Sequence, residues 1–426
     1  MLIDWFNNST AILLGMPMSG MLGLFWFSLM LEWPRYLLTY IPALLIIWEQ
    51  RSVKPGPLPA IGKVSVLIPG HNEADSIEKC VLSLKEQTFQ NFEIVCVSDG
   101  STDETYAIMK RLQREGKVDK IAECAIRGGK SSAINLGMRL ASGDVVLVID
   151  CDCSFDITAI EEILRPFADP KMGAVGGSIL VRNGEASITA SLQAIEYMVA
   201  IQLGRTAMDA IGQLALISGA FGAFRREAFM QVGMMDQGPG EDGDITIRLR
   251  LYGYKIGFAL QAVAYTDVPV HLYNLIMQRK RWERDALWTR FRKYARTLNP
   301  RSRDFKFREL GHQVDFMVMD VVCGVVAPFY TAWLFFQVGF SFAMFIFFLT
   351  YLAFLVIDFF MFACACVASG KTMYWRYWPF MFIYGPFKGY FMRYARLYTY
   401  VEEWIYSASR HDNFAPPKVN DWIRWK

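Results

Sequence analysis

Uncharged runs bracket a charged middle in this 426-residue chain, and no other feature limits its folding as much. Ser9–Leu31 carries no charge over about 23 residues, long enough to span a bilayer. Val314–Val338 and Ser341–Ala368 read as two further spans with almost no loop between them. Residues 54–312 have the mixed charge of an ordinary globular domain. The chain therefore reads as a soluble domain held between membrane segments.

Glu32-Trp33-Pro34-Arg35 interrupts the first run, and a second apolar stretch, Tyr36–Trp48, follows. Two crossings are the preferred reading, one tilted crossing the alternative. Arg51 and Lys54 come next, so the positive-inside rule assigns the globular domain to the cytoplasm. Pro55-Gly56-Pro57-Leu58-Pro59 is a stiff linker into it. The N-terminus lacks a basic n-region and a small-residue cleavage site, so it is read as a retained anchor. Beyond Lys371 and Arg376, the run Tyr377–Phe387 is too short for a simple span and carries Gly385-Pro386. An interfacial or re-entrant helix is favoured there, with a third crossing as the alternative. The expected division is a membrane region at 1–53, an α/β domain at 54–274, amphipathic interface helices at 275–313, a membrane and interfacial region at 314–400, and a cytosolic tail at 401–426. The whole is read as a multi-pass protein of the inner (plasma) membrane.

A formal net charge of +3 is too small to argue for nucleic acid. The cationic side chains cluster in Arg279–Arg308, where a phosphate-rich ligand or lipid headgroups fit. The eight cysteines show no zinc-ligand spacing with the four histidines and are read as reduced thiols.

Val64–Ile68, Glu93–Val97 and Asp144–Ile149 read as buried strands, and Ser76–Lys85 and Thr105–Arg114 as the helices that alternate with them. That alternation predicts an α/β fold with a parallel, doubly wound sheet, whose ligands bind beyond the carboxyl ends of the strands. Past Gly173 the pattern loosens. Ile188–Ala207 and Ile245–Tyr252 read as helices, and Leu275–Leu298 as a basic, aromatic helix at the membrane surface, with an ordinary surface helix packed on the domain as the alternative.

Three strand ends carry the polar motifs. Asp150-Cys151-Asp152 offers two carboxylates to one divalent cation, as a diphosphate leaving group needs. Asp99, in Ser98-Asp99-Gly100-Ser101, can accept hydrogen bonds from a uracil or ribose. Pro69-Gly70-His71-Asn72-Glu73 ends the first strand, with Glu73 a second ribose ligand. Lys130, in Gly128-Gly129-Lys130-Ser131-Ser132, is similar to a phosphate-contacting residue but lacks the full P-loop pattern. Gly240-Glu241-Asp242 precedes a helix; Asp242 is the choice for the base that deprotonates an acceptor hydroxyl, with helix capping the bland alternative. Gln278, Arg281 and Trp282 form Q-x-x-R-W on a helix. There Arg281 can stabilise a departing pyrophosphate and Trp282 offers a flat face to a sugar.

In this order the motifs closely resemble those of the processive, inverting family-2 glycosyltransferases of membranes, a group that includes cellulose, chitin, hyaluronan and poly-N-acetylglucosamine synthases. The resemblance covers roughly residues 64–300 and rests on Asp99, Asp150/Asp152, Gly240-Glu241-Asp242 and Gln278/Arg281/Trp282. It implies a GT-A fold, a UDP-sugar donor with Mg²⁺ or Mn²⁺, and a β-linked product from an α-linked donor. It implies donor binding by Pro69, Asn72, Glu73, Asp99, Lys130, Asp150, Gln278 and Arg281, and metal binding by Asp152 and Asp150. Glu241 and Asp242 are the implied catalytic acids. Trp282 and Ser218-Gly219-Ala220-Phe221-Gly222 match the acceptor site, with Gly219, Phe221 and Gly222 as its contacts. A growing polysaccharide leaving through the membrane helices, the lipid bilayer and accessory export subunits are the implied partners. The chain departs from the pattern at His71, where the family usually has Tyr. The closing Trp422-Ile423-Arg424-Trp425-Lys426 is read as a disordered end, with a cover over the donor site as the alternative.

Chain size leans the reading toward UDP-N-acetylglucosamine over UDP-glucose. A non-processive enzyme that adds one sugar to a lipid carrier is the alternative. A degenerate transport or scaffold protein is the remote one, because every expected carboxylate is present.

Overall fold

The computed structural model describes residues 1–35, 40–42, 44, 45, 48 and 56–407. Most of Tyr36–Trp48, together with Arg51, Lys54 and the closing Trp422–Lys426, lies outside the described residues.

The globular domain is built on one eight-stranded sheet, in the order β3-β2-β1-β4-β7-β6-β8-β5. Its strands are β1 (Val64–Gly70), β2 (Phe92–Asp99), β3 (Lys120–Cys124), β4 (Val145–Ile149), β5 (Ser154–Phe155), β6 (Met172–Val181), β7 (Phe221–Arg225) and β8 (Lys255–Thr266). The first four in space are mutually parallel, as the alternation predicts. The other half is mixed: β7 runs antiparallel to β4 and β6, while β6 and β8 are parallel. Val64, Val66, Ile94, Val95, Val145 and Leu147 are fully buried between helices, which is why these strands read as continuous apolar runs.

A fully buried charge sits inside this sheet. Glu93 of β2 meets Lys63 at 3.0 Å and Lys120 at 2.9 Å, and accepts hydrogen bonds from Ser65 Oγ at 2.7 Å and the Ser142 N–H at 2.6 Å. Burial opposes its charge, but these donors outweigh burial and hold the carboxyl well below the usual range. Its stabilisation is therefore complete above the ordinary glutamate pKa and fades only as the pH falls into strong acid.

Ser9–Leu31 does not form one continuous helix. The first helix is Leu2–Leu14, Pro17 caps a short second one at Met18–Leu24, and a π-helical turn occupies Ser28–Glu32. By length and apolarity, one described helical stretch, Phe307–Ser369, is able to cross a membrane. It is broken at Gly339, whose φ of 77° and ψ of 165° no helix contains. Phe335 and Phe347 lie across that break with ring centroids 5.8 Å apart. Twelve residues of unbroken helix would hold them about 18 Å apart, so the chain turns back on itself. The N-terminal segment packs on this hairpin: Tyr330 donates its hydroxyl to the Leu24 carbonyl at 2.6 Å and stacks on Phe27.

Beyond the hairpin the chain stays helical, through Thr372–Phe380 and Met381–Pro386 to the helix Arg393–Tyr406. That last helix crosses the boundary expected at residue 400. A cavity of about 220 Å³ lies among these helices, lined by Phe27, Tyr330, Tyr384 and Tyr390 and by the ion pairs Asp358–Lys388 and Glu32–Arg393. It reaches Glu196 of the globular domain.

Candidate active site

The loop after β1 is tied to the loop after β2. Asn72 adopts a left-handed backbone (φ 57°), which asparagine tolerates better than most residues. Its Oδ1 accepts the Thr102 N–H at 2.8 Å, and its own N–H reaches Ser101 Oγ at 3.2 Å. His71 Nδ1 lies 2.8 Å from the Asp99 carbonyl. Glu73 accepts the Ser76 hydroxyl, and burial raises its carboxyl pKa, helped by the charges of Asp152 and Asp150. Pro69 lies within β1 and its carbonyl accepts the Cys151 thiol.

Asp99 closes β2 and is only 3% exposed. Its two oxygens accept the N–H groups of Gly128 and Gly129, each at 2.7 Å. Its visible task is thus to seat the glycine turn, and each oxygen keeps a further lone pair. Gly129, at φ 89°, turns the chain into the helix Lys130–Leu140. Lys130 is therefore helical, not part of an extended loop, and the turn aims its side chain across the strand ends.

Lys130 Nζ lies 2.5 Å from Asp150 Oδ1, 3.1 Å from the Gly219 carbonyl and 4.0 Å from Glu241 Oε1. Burial alone would depress its pKa, but Asp150, Glu241 and Asp242 outweigh burial and hold it above the ordinary lysine value. Asp150 follows β4 and donates its N–H to the Ala220 carbonyl at 3.2 Å. Asp152 Oδ2 accepts the Thr266 hydroxyl at 3.3 Å. Burial, and then the Asp150 charge, push the Asp152 carboxyl up.

Glu241 and Asp242 occupy the first turn of the helix Glu241–Leu251, which starts four residues before the predicted Ile245. Gly240 enters it at φ 70°. A side chain at Gly240 would strike Thr289 Oγ1 at 2.8 Å, so glycine is required twice over. Asp242 Oδ1 accepts the Gly243 N–H at 2.8 Å. Burial raises the Glu241 carboxyl pKa, with Lys130 opposing it and Asp242 adding to it. A Cβ added at Gly219 would stand 3.1 Å from Lys130 Nζ, 3.7 Å from Asp242 Cβ and 3.8 Å from Glu241 Oε1. Gly219 is where the cation and both acids converge.

Phe221 and Gly222 do not belong to this surface, contrary to the acceptor role expected of them. Both are in β7, paired with Ile149 and Val148 of β4. Phe221 is fully buried, with its ring 5.0 Å from that of Phe155 and over Gly177. Alternation along a strand puts neighbours on opposite faces, so a motif read as one contact surface cannot all face a ligand.

Gln278, Arg281 and Trp282 lie on the helix Leu272–Leu287, which begins before the expected Leu275. Gln278 Oε1 is buried with no hydrogen-bond partner among the described residues. Trp282 is 39% exposed, with the Arg279 guanidinium 4.4 Å from its ring. Arg279 also pairs with Glu196 at 2.7 Å. The other side of this helix is fastened to Arg393–Tyr406, where Lys280 and Arg284 meet Glu402 and Glu283 meets Arg396; Arg292, on the π-helical turn Trp288–Lys293 that follows, meets Glu403. Buried Tyr197 stands among the charges of Arg279, Glu196, Arg205 and Asp152, on the π-helical stretch Tyr197–Gly204 between the carboxylates and this helix.

Arg182 was not legible as a site residue. It donates to the Asp152 carbonyl at 3.1 Å while paired with Asp267 at 2.7 Å, so it fixes the loop that carries the carboxylates. No local pattern marks it, because its partners are remote in sequence.

Residues 65–233 match the family described as Glycosyl transferase family 2. That stretch is similar to a family-2 glycosyltransferase domain. Within the matched stretch lie Asp99, Lys130, Asp150, Asp152 and Gly219; Glu241, Asp242 and the Gln278–Trp282 helix follow it. Poly-beta-1,6-N-acetyl-D-glucosamine synthases of Staphylococcus aureus (strain MSSA476) and Staphylococcus epidermidis are 32% and 30% identical to it over 221 residues, which is 51% of this chain and 53% of each relative. The chain thus spans about half the length of the curated relatives it matches. Its fold is similar to that of a mannosyltransferase from Pyrobaculum calidifontis in complex with GDP-Man and Mn²⁺, with TM-score 0.54 and 20% identity over 78% of this chain and 95% of that one. The sheet is of the GT-A type.

Proposed function

We propose that the protein is a processive, inverting glycosyltransferase. It polymerises UDP-N-acetylglucosamine into a β-linked polysaccharide and passes the product out between its membrane helices. The carrying observation is the meeting of Lys130, Asp150, Glu241 and Asp242 around Gly219. The names of the staphylococcal relatives support the choice of sugar.

No three His, Cys, Asp or Glu side chains form a self-sufficient metal centre among the described residues. Asp150 and Asp152 are hard oxygen donors at a strand end, and their mutual repulsion fits a cation between them and a diphosphate. Mg²⁺ or Mn²⁺ suits that set, and when bound would neutralise charge on the departing diphosphate. Asp99, Asn72 and Glu73 line the nucleoside end, with Pro69 behind them. Lys130 brings a fixed positive charge to the phosphates. Asp242 accepts the proton of the acceptor hydroxyl as that oxygen attacks the anomeric carbon. The bond from that carbon to the phosphate oxygen breaks, and its electron pair leaves with UDP. One displacement from the opposite face inverts the configuration. Gln278 and Arg281 hold the pyrophosphate, and Trp282 stacks on the terminal acceptor sugar.

The cavity that reaches Glu196 is the proposed exit. Its tyrosines and ion pairs suit a neutral, hydroxyl-rich chain. The same reading makes this a multi-pass inner-membrane protein with its catalytic domain in the cytoplasm, working with accessory export subunits.

Purified protein in nanodiscs should release UDP from UDP-N-acetylglucosamine in the presence of Mg²⁺ or Mn²⁺. It should yield a long product cut by a β-1,6-N-acetylglucosaminidase. Turnover that stops after one sugar on a lipid acceptor would replace this reading with the lipid-carrier one. Within the same assay, Gly219→Ala is expected to lower kcat by roughly ten- to a hundredfold, because its methyl displaces Lys130 from between the acids. Unchanged kcat would show that Lys130 need not sit there.

A further inference from the structure

The helix Glu241–Leu251 is strapped to the polypeptide that leads into the membrane hairpin along its whole length. At its start, Gly240 lies against Asp285 and Thr289. One turn on, buried Asp244 accepts the Tyr294 hydroxyl at 2.6 Å and pairs with Lys293 at 2.5 Å. In its last turn, Arg250 grips Glu309 with two parallel bonds, Nε to Oε1 at 2.6 Å and Nη2 to Oε2 at 2.9 Å. Both side chains are almost wholly buried, at 2% and 1% exposure. Glu309 lies in the first turn of the helix Phe307–Phe316, at the foot of the hairpin.

Arg250 also donates to the carbonyls of Leu214 at 3.2 Å and Ala215 at 2.9 Å. Those residues begin the segment that delivers Gly219 to the site. The same segment is held again at Ile217, whose N–H donates to Thr246 Oγ1 at 3.1 Å, while that hydroxyl donates to the Asp242 carbonyl at 2.6 Å. Lys306 closes the helix by donating to the Arg250 carbonyl at 3.1 Å. One guanidinium therefore joins three parts: the helix that carries Glu241 and Asp242, the irregular segment leading to Gly219, and the foot of the membrane hairpin.

A buried ion pair is an inefficient way to stabilise a fold, since well-packed apolar residues of similar volume often serve as well. What a two-pronged, fully enclosed pair does supply is a fixed angle and register between the elements that carry it. We propose that Arg250 and Glu309 are positioning residues that set the acids of the Glu241–Leu251 helix against Gly219 by tying both to the membrane hairpin. The inference rests on the proposed transferase reading for its kinetic consequence, but not for its geometry.

The test uses the full chain in nanodiscs and the paired variant Arg250→Met/Glu309→Leu, which removes both charges while keeping volume. UDP titration calorimetry counts the donor-competent molecules. Per such molecule, kcat is expected to fall about tenfold or more, with donor KM within about twofold of wild type. Amide exchange across residues 241–251 should accelerate while β1, β2 and β4 keep their protection. A kcat per UDP-binding molecule equal to that of wild type would overturn the positioning role and leave a purely structural pair. Unchanged exchange in residues 241–251 would overturn the strap itself. Should wild-type protein release UDP from no donor, the transferase reading fails, and the exchange comparison still decides the strap.

Discussion

Asp242→Asn should remove sugar transfer almost entirely, by about 10³-fold or more, because a general base contributes on that order and an amide cannot take the proton. UDP affinity should hardly change. The substitution is nearly isosteric, and an amide oxygen can still accept the Gly243 N–H that orients the carboxylate at 2.8 Å. Glu241 is poorly placed to take over, because its Oε1 faces Lys130 at 4.0 Å. UDP-release kinetics beside calorimetric UDP binding check the prediction. Wild-type turnover by the variant would sink the assignment, and a larger loss in Glu241→Gln would transfer the role to that residue.

Asp152→Ala should uncouple the site from its cation. Burial and the Asp150 charge both raise the Asp152 carboxyl pKa, so in the absence of a cation Asp152 keeps its proton more readily than a free aspartate does. A divalent ion reverses that preference and expels the proton on binding. Metal affinity should therefore fall as the pH drops through a range that lies above the ordinary aspartate pKa. In the alanine variant that pH dependence should flatten, and the half-saturating Mg²⁺ or Mn²⁺ concentration should rise by about tenfold or more. Metal titrations of UDP binding at several pH values measure both. Unchanged metal dependence in the variant would rule Asp152 out as a ligand.

The parallel half of the sheet was legible because β1, β2 and β4 are short β-branched runs buried on both faces, each stopping at Gly, Ser or Asp. The other half was not. β6 contains Gly176-Gly177, and the second glycine is there because the Phe221 ring occupies the space its Cβ would fill. That contact joins residues far apart in sequence and leaves no periodic trace. The helix Lys130–Leu140 was hidden by its opening glycines, which look like loop until Asp99 is seen holding both their N–H groups. Of the site, the carboxylates and Lys130 could be read from motifs at strand ends. The burial of Phe221 and Gly222 could not, because a motif names residues without saying which face of a strand each one takes.

The break at Gly339 settles a question of parity. The apolar stretch leaves the globular domain at Glu309, held by Arg250, and comes back to it at Lys371, which meets Asp156 at 2.5 Å and the Tyr265 hydroxyl at 3.1 Å. A straight rod of the same composition would leave its far end on the opposite side of any bilayer it crossed. By doubling back, the chain returns Lys371 to the globular domain it left. The helix Arg393–Tyr406 can then brace the Gln278–Trp282 helix through Glu402 and Arg396. A single residue with freedom at positive φ thus lets residues 370–407 pack back against the domain that the apolar stretch left.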